Sequence, residues 1–367
     1  MNLVEAKSIL VTGQAPSVEE LLPFMEDRVP YRVMQSSLRR AALPSFQAWE
    51  DIPGHLSAWA QKQKNCTPPN LTLQEILRQH LYAGEKAIRL TKYEATGELT
   101  ISEIARAVQA AELPISPYRS IYPLPLNDDA LDSVETGCFP VEIVQDEKKT
   151  AVMFCSRRIY REEVRLPQPE DGEPFSDFVE IFGIRYQRKQ RFDVLVIDTE
   201  NDNFEFRIDA SSHIGVREME RAAEDFMSAA SNFLKRVTNN AAFDYGVTRN
   251  FFPALRAFYN DKNCCVTELG FKTDGGAPTK TAKARRRGED VRADLFHKGG
   301  SQAVGGNIDP YKITVEWPSG LPGAEVELPG TVSLLNQVNP SLTLSVLRGC
   351  GTEAEVVSVL AKLNSAI

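Results

Sequence analysis

The segment RFDVLVIDTENDNFEFRID, residues 191–209, contains two apolar runs separated by a polar connector. In the second run apolar and charged residues alternate from Phe204 to Asp209. Successive side chains of a strand point to opposite faces of a sheet, so this alternation is typical of a strand with one buried face. The connector TENDN is rich in residues that favour turns. The segment therefore predicts a β-hairpin and places the centre of the chain in a mainly antiparallel sheet.

Patterns on either side of this hairpin divide the chain into three parts. Residues 1–135 are predicted to be mainly helical. Residues 136–262 are predicted to be strand-rich, with one long amphipathic helix. Residues 263–367 are predicted to form a smaller α+β unit that contains a long basic loop at 272–310. Because strands and helices do not alternate regularly, we expect an α+β fold.

Capping boxes mark the expected starts of several helices. In this motif a Ser or Thr caps the helix, and a Glu three residues later bonds back to the backbone of the cap. The spacing occurs at Ser17 and Glu20, Thr72 and Glu75, Thr100 and Glu103, and Thr352 and Glu355. Each pair predicts a helix that begins at the residue after the Ser or Thr.

The composition restricts the class of protein. The chain has 367 residues, of which 42% are hydrophobic and 25% charged, so wholesale disorder is not expected and two or three domains are. The formal net charge of −8 repels polyanions, so any binding of nucleic acid must come from local basic patches.

The same sequence predicts an intracellular location. The amino terminus lacks the form of a signal peptide, and no apolar run approaches the length of a membrane span. The six cysteines match neither a zinc site nor a disulfide framework. We therefore expect a cytoplasmic protein with reduced cysteines, no metal, no cofactor and no membrane contact.

The most basic segment is GFKTDGGAPTKTAKARRRGEDVRADLFHKGG, residues 270–300. Between Lys272 and Lys298 it has eight Lys or Arg against four acidic residues. Guanidinium groups suit bidentate contact with phosphate, and long loops inside domains are often functional. The predicted contacts to nucleic acid are Arg285, Arg286, Arg287, Arg292 and Lys298. A loop kept in solution by its charge is the alternative.

A second basic segment, RYQRKQR, covers residues 185–191. Its cations are Arg185, Arg188, Lys189 and Arg191, and Tyr186 lies among them. Cations interleaved with aromatic side chains suit the backbone and bases of nucleic acids. The alternative is an edge strand that its charge protects from pairing with other chains. With two such segments, a non-enzymatic protein that binds the backbone of DNA or RNA is the favoured prediction.

Two other functions remain open. One is a subunit of an intracellular protein complex, for example a bacterial defence complex, whose basic loop meets an acidic partner. The other is a metal-dependent nuclease at Asp198, Glu205 and Arg207, an arrangement loosely similar to nucleases that place an Asp before a Glu-x-Lys motif. Arg207 stands in the place of the Lys and cannot deprotonate in a protein, so it would only stabilise charge.

Overall fold

A computed structural model describes residues 15–44, 46–62, 67–94, 99–167, 175, 177–211, 214–273, 280–318 and 320–367. The helices are α1 (Val18–Arg28), α2 (Tyr31–Arg40), α3 (Ile52–Lys62), α4 (Pro69–Ala83), α5 (Ile101–Gln109), α6 (Pro117–Ile121), α7 (Asp128–Ser133), α8 (Val216–Val237), α9 (Phe252–Asn260), α10 (Leu295–Ala303), α11 (Val332–Leu335) and α12 (Glu353–Asn364). The strands are β1 (Lys86–Lys92), β2 (Cys138–Gln145), β3 (Lys149–Leu166), β4 (Ile181–Asp198), β5 (Asn203–Asp209), β6 (Val247–Thr248), β7 (Cys265–Thr273), β8 (Lys280–Lys283), β9 (Ile308–Trp317), β10 (Leu321–Leu328) and β11 (Ser345–Arg348). Short 3-10 turns occupy Trp49–Asp51 and Val291–Ala293.

The strands form one antiparallel sheet in the order β2-β3-β4-β5-β1-β11-β10-β9-β7-β8, with β6 paired to β1. The hairpin at residues 191–209 is present as β4 and β5, paired from Val194 with Arg207 to Asp198 with Asn203. The predicted α+β fold with antiparallel strands is confirmed. The sheet takes strands from all three parts of the sequence, since β1 lies between β5 and β11.

Helices cover both faces of the first half of the sheet. On one face α5 and α8 pack over β2 to β5 and β1, where Phe154 and Phe206 meet Phe226 of α8. On the opposite face α1 to α4 pack against Met153 and Val194. Strand alternation explains both layers, because adjacent residues of β3 and β4 enter opposite cores.

In the second half of the sheet the two faces differ in character. Val315 of β9 and Val326 of β10 pack in a core with α9 and α12. In β9, Lys312 and Thr314 alternate with the core residues and point to the other face of the sheet. Over β2 to β5 and β1 this other face is covered by α5 and α8. Over β7, β9, β10 and β11 this face is charged and lines a cleft.

The β3–β4 hairpin is longer than the sheet that it joins. Its two strands pair over 18 residues each, from Lys149 with Asp198 to Leu166 with Ile181. The neighbouring β2 reaches only to Ser156, and β5 pairs with β4 only from Val194 onward. Residues 157–166 and 181–190 therefore extend beyond these neighbours as a two-stranded ribbon, called the arm below.

Several local predictions are confirmed and two are wrong. The capping boxes at Ser17, Thr100 and Thr352 are formed, and α8 has the expected amphipathic face. The cap at Thr72 is wrong, because α4 already begins at Pro69, where a proline fits the first helical turn. The predicted loop at 272–310 is also wrong, since it contains β8 and α10.

Both elements inside that segment have local causes that its composition concealed. The edge strand β8 is held by backbone pairing with β7, from Phe271 with Lys280 to Glu268 with Lys283. Helix α10 begins after Asp294, whose carboxylate accepts a hydrogen bond from the backbone N–H of His297. The basic composition of the segment therefore predicted a loop where the structure has an edge strand and a capped helix.

Candidate anion-binding cleft

The charged cleft over the second half of the sheet has a volume of about 450 Å³. Its floor is formed by β7, β9, β10 and β11, and its wall by β8 and the turn that follows. The cations that line it are Lys283, Arg285, Arg286, Arg287, Lys312 and Arg348, and the carboxylates are Glu268, Glu325 and Glu327. Cations outnumber carboxylates two to one among these lining residues.

The floor of the cleft is charge-balanced. Lys312 Nζ lies 2.7 Å from a carboxylate oxygen of Glu268 and 3.3 Å from one of Glu327. Arg348 lies 3.7 Å from Glu327 on the neighbouring strand. Burial disfavours the charge of Lys312, but the hydrogen bonds and ion pairs with Glu268 and Glu327 together outweigh burial and raise the pKa of the amine. Cross-strand pairs of this kind hold the floor rigid.

Arg287 fixes the turn that forms the wall. Its guanidinium lies 3.0 Å from Glu316 and 3.2 Å from Glu325, and it also donates to the carbonyl oxygen of Gly323. The next residue, Gly288, has a φ of 78°, which glycine adopts without steric cost. The predicted cation Arg287 is thus an anchor for its neighbours.

Arg285 and Arg286 are held at the mouth of the cleft by this anchor. Both are exposed, and within the described part of the chain neither guanidinium has a hydrogen-bond or ion-pair partner. The backbone N–H of Arg286 donates to Glu289 over 3.2 Å, so the turn is ordered although the side chains are not paired. Guanidinium groups without an ion-pair partner have the chemistry that suits an anion.

Arg292 differs from these two residues. It donates hydrogen bonds to the carbonyl oxygens of Tyr259 over 2.8 Å and Asp261 over 2.7 Å, and also to Cys264. An ion pair with Asp290 completes its contacts. Arg292 therefore caps the carboxyl end of α9, and its predicted role as a nucleic-acid contact is corrected to a structural one. Lys298 remains exposed on α10.

The second basic segment lies far from the cleft. β4 and β8 are seven strand positions apart in the sheet, or about 34 Å at the usual spacing of strands. Arg191 is buried, stacks 4.5 Å from the ring of Tyr160 and bonds to Ser211 over 2.8 Å. Its predicted contact with nucleic acid is corrected, because a ligand cannot reach it in the folded protein.

The other cations of this segment are more exposed. Arg185 pairs with Glu162 over 2.7 Å, and Arg188 lies 3.3 Å from Asp132. For Lys189 there is no ion-pair partner among the described residues. The structure does not bring the two predicted basic segments into one site.

The proposed nuclease residues form a closed ion network. Arg207 is fully buried between Glu205 and Glu353, and Lys149 lies 2.9 Å from Glu205 and 3.8 Å from Asp198. Burial opposes the charge of Glu205, but Arg207 and Lys149 outweigh it and lower the pKa of this carboxyl. In the described residues no group of three or more His, Cys, Asp or Glu side chains is placed to hold a metal.

Sequence reasoning missed the residues that build the cleft floor, namely Lys312, Arg348 and their carboxylate partners. Lys312 alternates with apolar residues in β9, which is the only local signal that it faces away from the core. Its position beside Glu268 and Glu327 depends on the order of the strands, which a local pattern does not contain.

Comparisons with known proteins add no assignment. No protein-family model matches this chain, and a search of curated proteins finds no match. In the ranges that the structure describes, no helix combines the length and the apolar character needed to cross a membrane.

Proposed function

We propose that the protein binds the phosphate backbone of DNA or RNA at the mouth of the cleft. The observation that supports this proposal is the contrast between the paired floor and the exposed guanidinium groups of Arg285 and Arg286. Lys283 lines the same wall and lies 3.4 Å from Glu268, and Lys298 is a further exposed cation on α10. Contacts of this kind give affinity and salt dependence without base specificity.

The rigidity of the wall strengthens the proposal. A flexible Arg loses side-chain entropy when it binds, whereas a backbone that is already fixed reduces the cost of association. The pairing of Arg287 with Glu316 and Glu325 supplies this order without using the neighbouring guanidinium groups. The net charge of −8 confines attraction for polyanions to such a local patch.

The test is binding of fluorescent single- and double-stranded DNA and RNA across a salt series. Removal of the two cations in Arg285→Gln/Arg286→Gln should reduce the slope of log K against log salt by about 1.8 for duplex DNA and about 1.4 for single strands. The matched control is Arg185→Gln/Arg188→Gln, which removes two exposed cations about 34 Å away. We expect the control to keep the slope of the unmodified protein.

Two results would contradict the proposal. The first is no binding to any of the four nucleic acids at low salt, an outcome that favours an acidic protein surface as the ligand of Arg285 and Arg286. The second is an equal loss of slope in the test and control variants, because this would show a diffuse charge effect without a localised site.

A further inference from the structure

The arm carries an exposed apolar surface at the half of the sheet away from the cleft. Eight of the sixteen large hydrophobic side chains that are exposed in the described chain belong to the arm and its tip. They are Ile159, Leu166, Phe175, Phe178, Val179, Phe182, Ile184 and Tyr186. At about 100 Å² each they present about 800 Å² in total, distributed over both sides of the arm and its tip. Exposed apolar side chains that concentrate in one element are typical of an interaction surface.

Four of these residues share one face of the arm with charged residues. The register pairs Ile159 with Arg188, Arg161 with Tyr186, Glu163 with Ile184, and Arg165 with Phe182, and residues paired in this way point to the same side. All eight side chains are exposed, whereas most of the opposite side of the arm is half-buried. This set is called the open face below.

The unpaired charges of the open face are complementary to those of the same face in a second copy. Arg165 and Arg188 are paired within the chain, with Glu180 and Asp132. Arg161 and Glu163 carry opposite charges two residues apart, and neither has a partner among the residues described. A two-fold axis across the arm between these positions would place Arg161 of each copy opposite Glu163 of the other.

We propose that the protein forms a homodimer in which the open faces of two arms pack against each other. The same axis brings Tyr186 of each copy onto Ile184 of the other, and Arg188 onto the ring of Phe182. A two-fold interface requires this reciprocity, since each contact occurs twice. At about 100 Å² each, the eight exposed side chains of the open face, apolar and charged together, present about 800 Å² per copy, which equals the share of one partner in an interface of standard size.

The dimer is tested by size-exclusion chromatography with light scattering. A protein concentration of about 1–50 µM covers the dissociation constants expected for an interface of this size. The unmodified protein should have twice the mass of one chain, and Ile184→Glu should have the mass of one chain. Val338→Glu is the matched control, because Val338 is also exposed but lies outside the arm. A monomeric unmodified protein would overturn the proposal and direct attention to another protein or a lipid surface as the occupant.

Charge exchange tests the geometry itself. Arg161→Glu and Glu163→Arg each place like charges opposite one another across the axis, so each variant alone should weaken the dimer. An equimolar mixture of the two variants should form a dimer, because every contact then joins opposite charges. Failure of the mixture to dimerise, with both variants folded by circular dichroism, would refute this packing. Since the arm and the cleft are separate, the outcome is independent of nucleic-acid binding.

Discussion

Arg292→Ala should destabilise the fold without changing the salt dependence of nucleic-acid binding. The side chain is 17% exposed and donates to four backbone carbonyls in the last turn of α9 and beyond it, those of Phe258, Tyr259, Asp261 and Cys264. A hydrogen bond from a charged donor contributes about 1.5–3 kcal/mol. Because water can replace part of these bonds at a half-buried site, we expect a loss of about 3 kcal/mol in the free energy of unfolding.

Urea denaturation followed by circular dichroism measures this loss. If the chain unfolds as one unit, the same loss corresponds to a decrease in Tm of about 4 °C for a protein of this length. The control is Arg286→Ala, whose exposed guanidinium has no hydrogen bond or ion pair with the described residues and whose loss should change stability by less than about 0.5 kcal/mol. The reasoning is refuted if Arg292→Ala is as stable as the unmodified protein, or if it lowers the salt slope while stability is unchanged.

Three further predictions concern the buried polar groups. Burial, with Arg28 and Lys86 nearby, lowers the pKa of His80 to about 3, so the unfolded state binds the extra proton below pH 6.5. The unmodified protein should therefore lose about 1.4 kcal/mol per pH unit more than His80→Gln between pH 6 and 5, measured by urea denaturation. Burial lowers the pKa of Lys86 to about 8, so above this pH the unfolded state binds more protons than the folded state and stability should rise with pH. Urea midpoints measured from about pH 7.5 to about pH 9.5 should show this rise in the unmodified protein and not in Lys86→Met. Arg207→Met should lower the free energy of unfolding by about 3–5 kcal/mol, because it leaves the buried Glu205 carboxylate with one ion-pair partner fewer. A double-mutant cycle with Glu205→Gln should give a coupling energy between the two residues, and a coupling of zero would show that the pair contributes nothing.

The sequence predicted those elements whose cause is local. The alternation from Phe204 to Asp209 correctly gave a strand, but its expected exposed face is wrong, because every residue of β5 is buried and its charged side chains form ion pairs. Three of the four capping boxes gave correct helix starts, because each depends on residues within one turn. The prediction at Thr72 is wrong because a second local signal lies close by, namely Pro69, at which α4 begins. Local rules work where no neighbouring signal competes with them.

The candidate site could be predicted only in part. Counting cations selected Arg285 and Arg286, which line the cleft, but it equally selected Arg191 and Arg292, which are structural. A basic residue stabilises a fold or binds a ligand according to the carbonyls and carboxylates around it. Those groups come from distant strands and helices, so the composition of a segment cannot distinguish the two roles.

The arm also shows that the composition of a segment cannot assign the role of its charged residues. For residues 185–191 the alternative to a nucleic-acid contact was a charged edge strand that its charge protects from pairing with other chains. In the structure Arg188 on the open face is neutralised by Asp132, and Arg185 on the opposite side is neutralised by Glu162, so the exposed apolar side chains dominate the open face. Neutralised charge does not repel a second copy, and the charges that remain, on Arg161 and Glu163, have opposite signs. The charge that could protect an edge strand from association is therefore largely cancelled within the fold, and the open face has the properties of a surface that associates with itself.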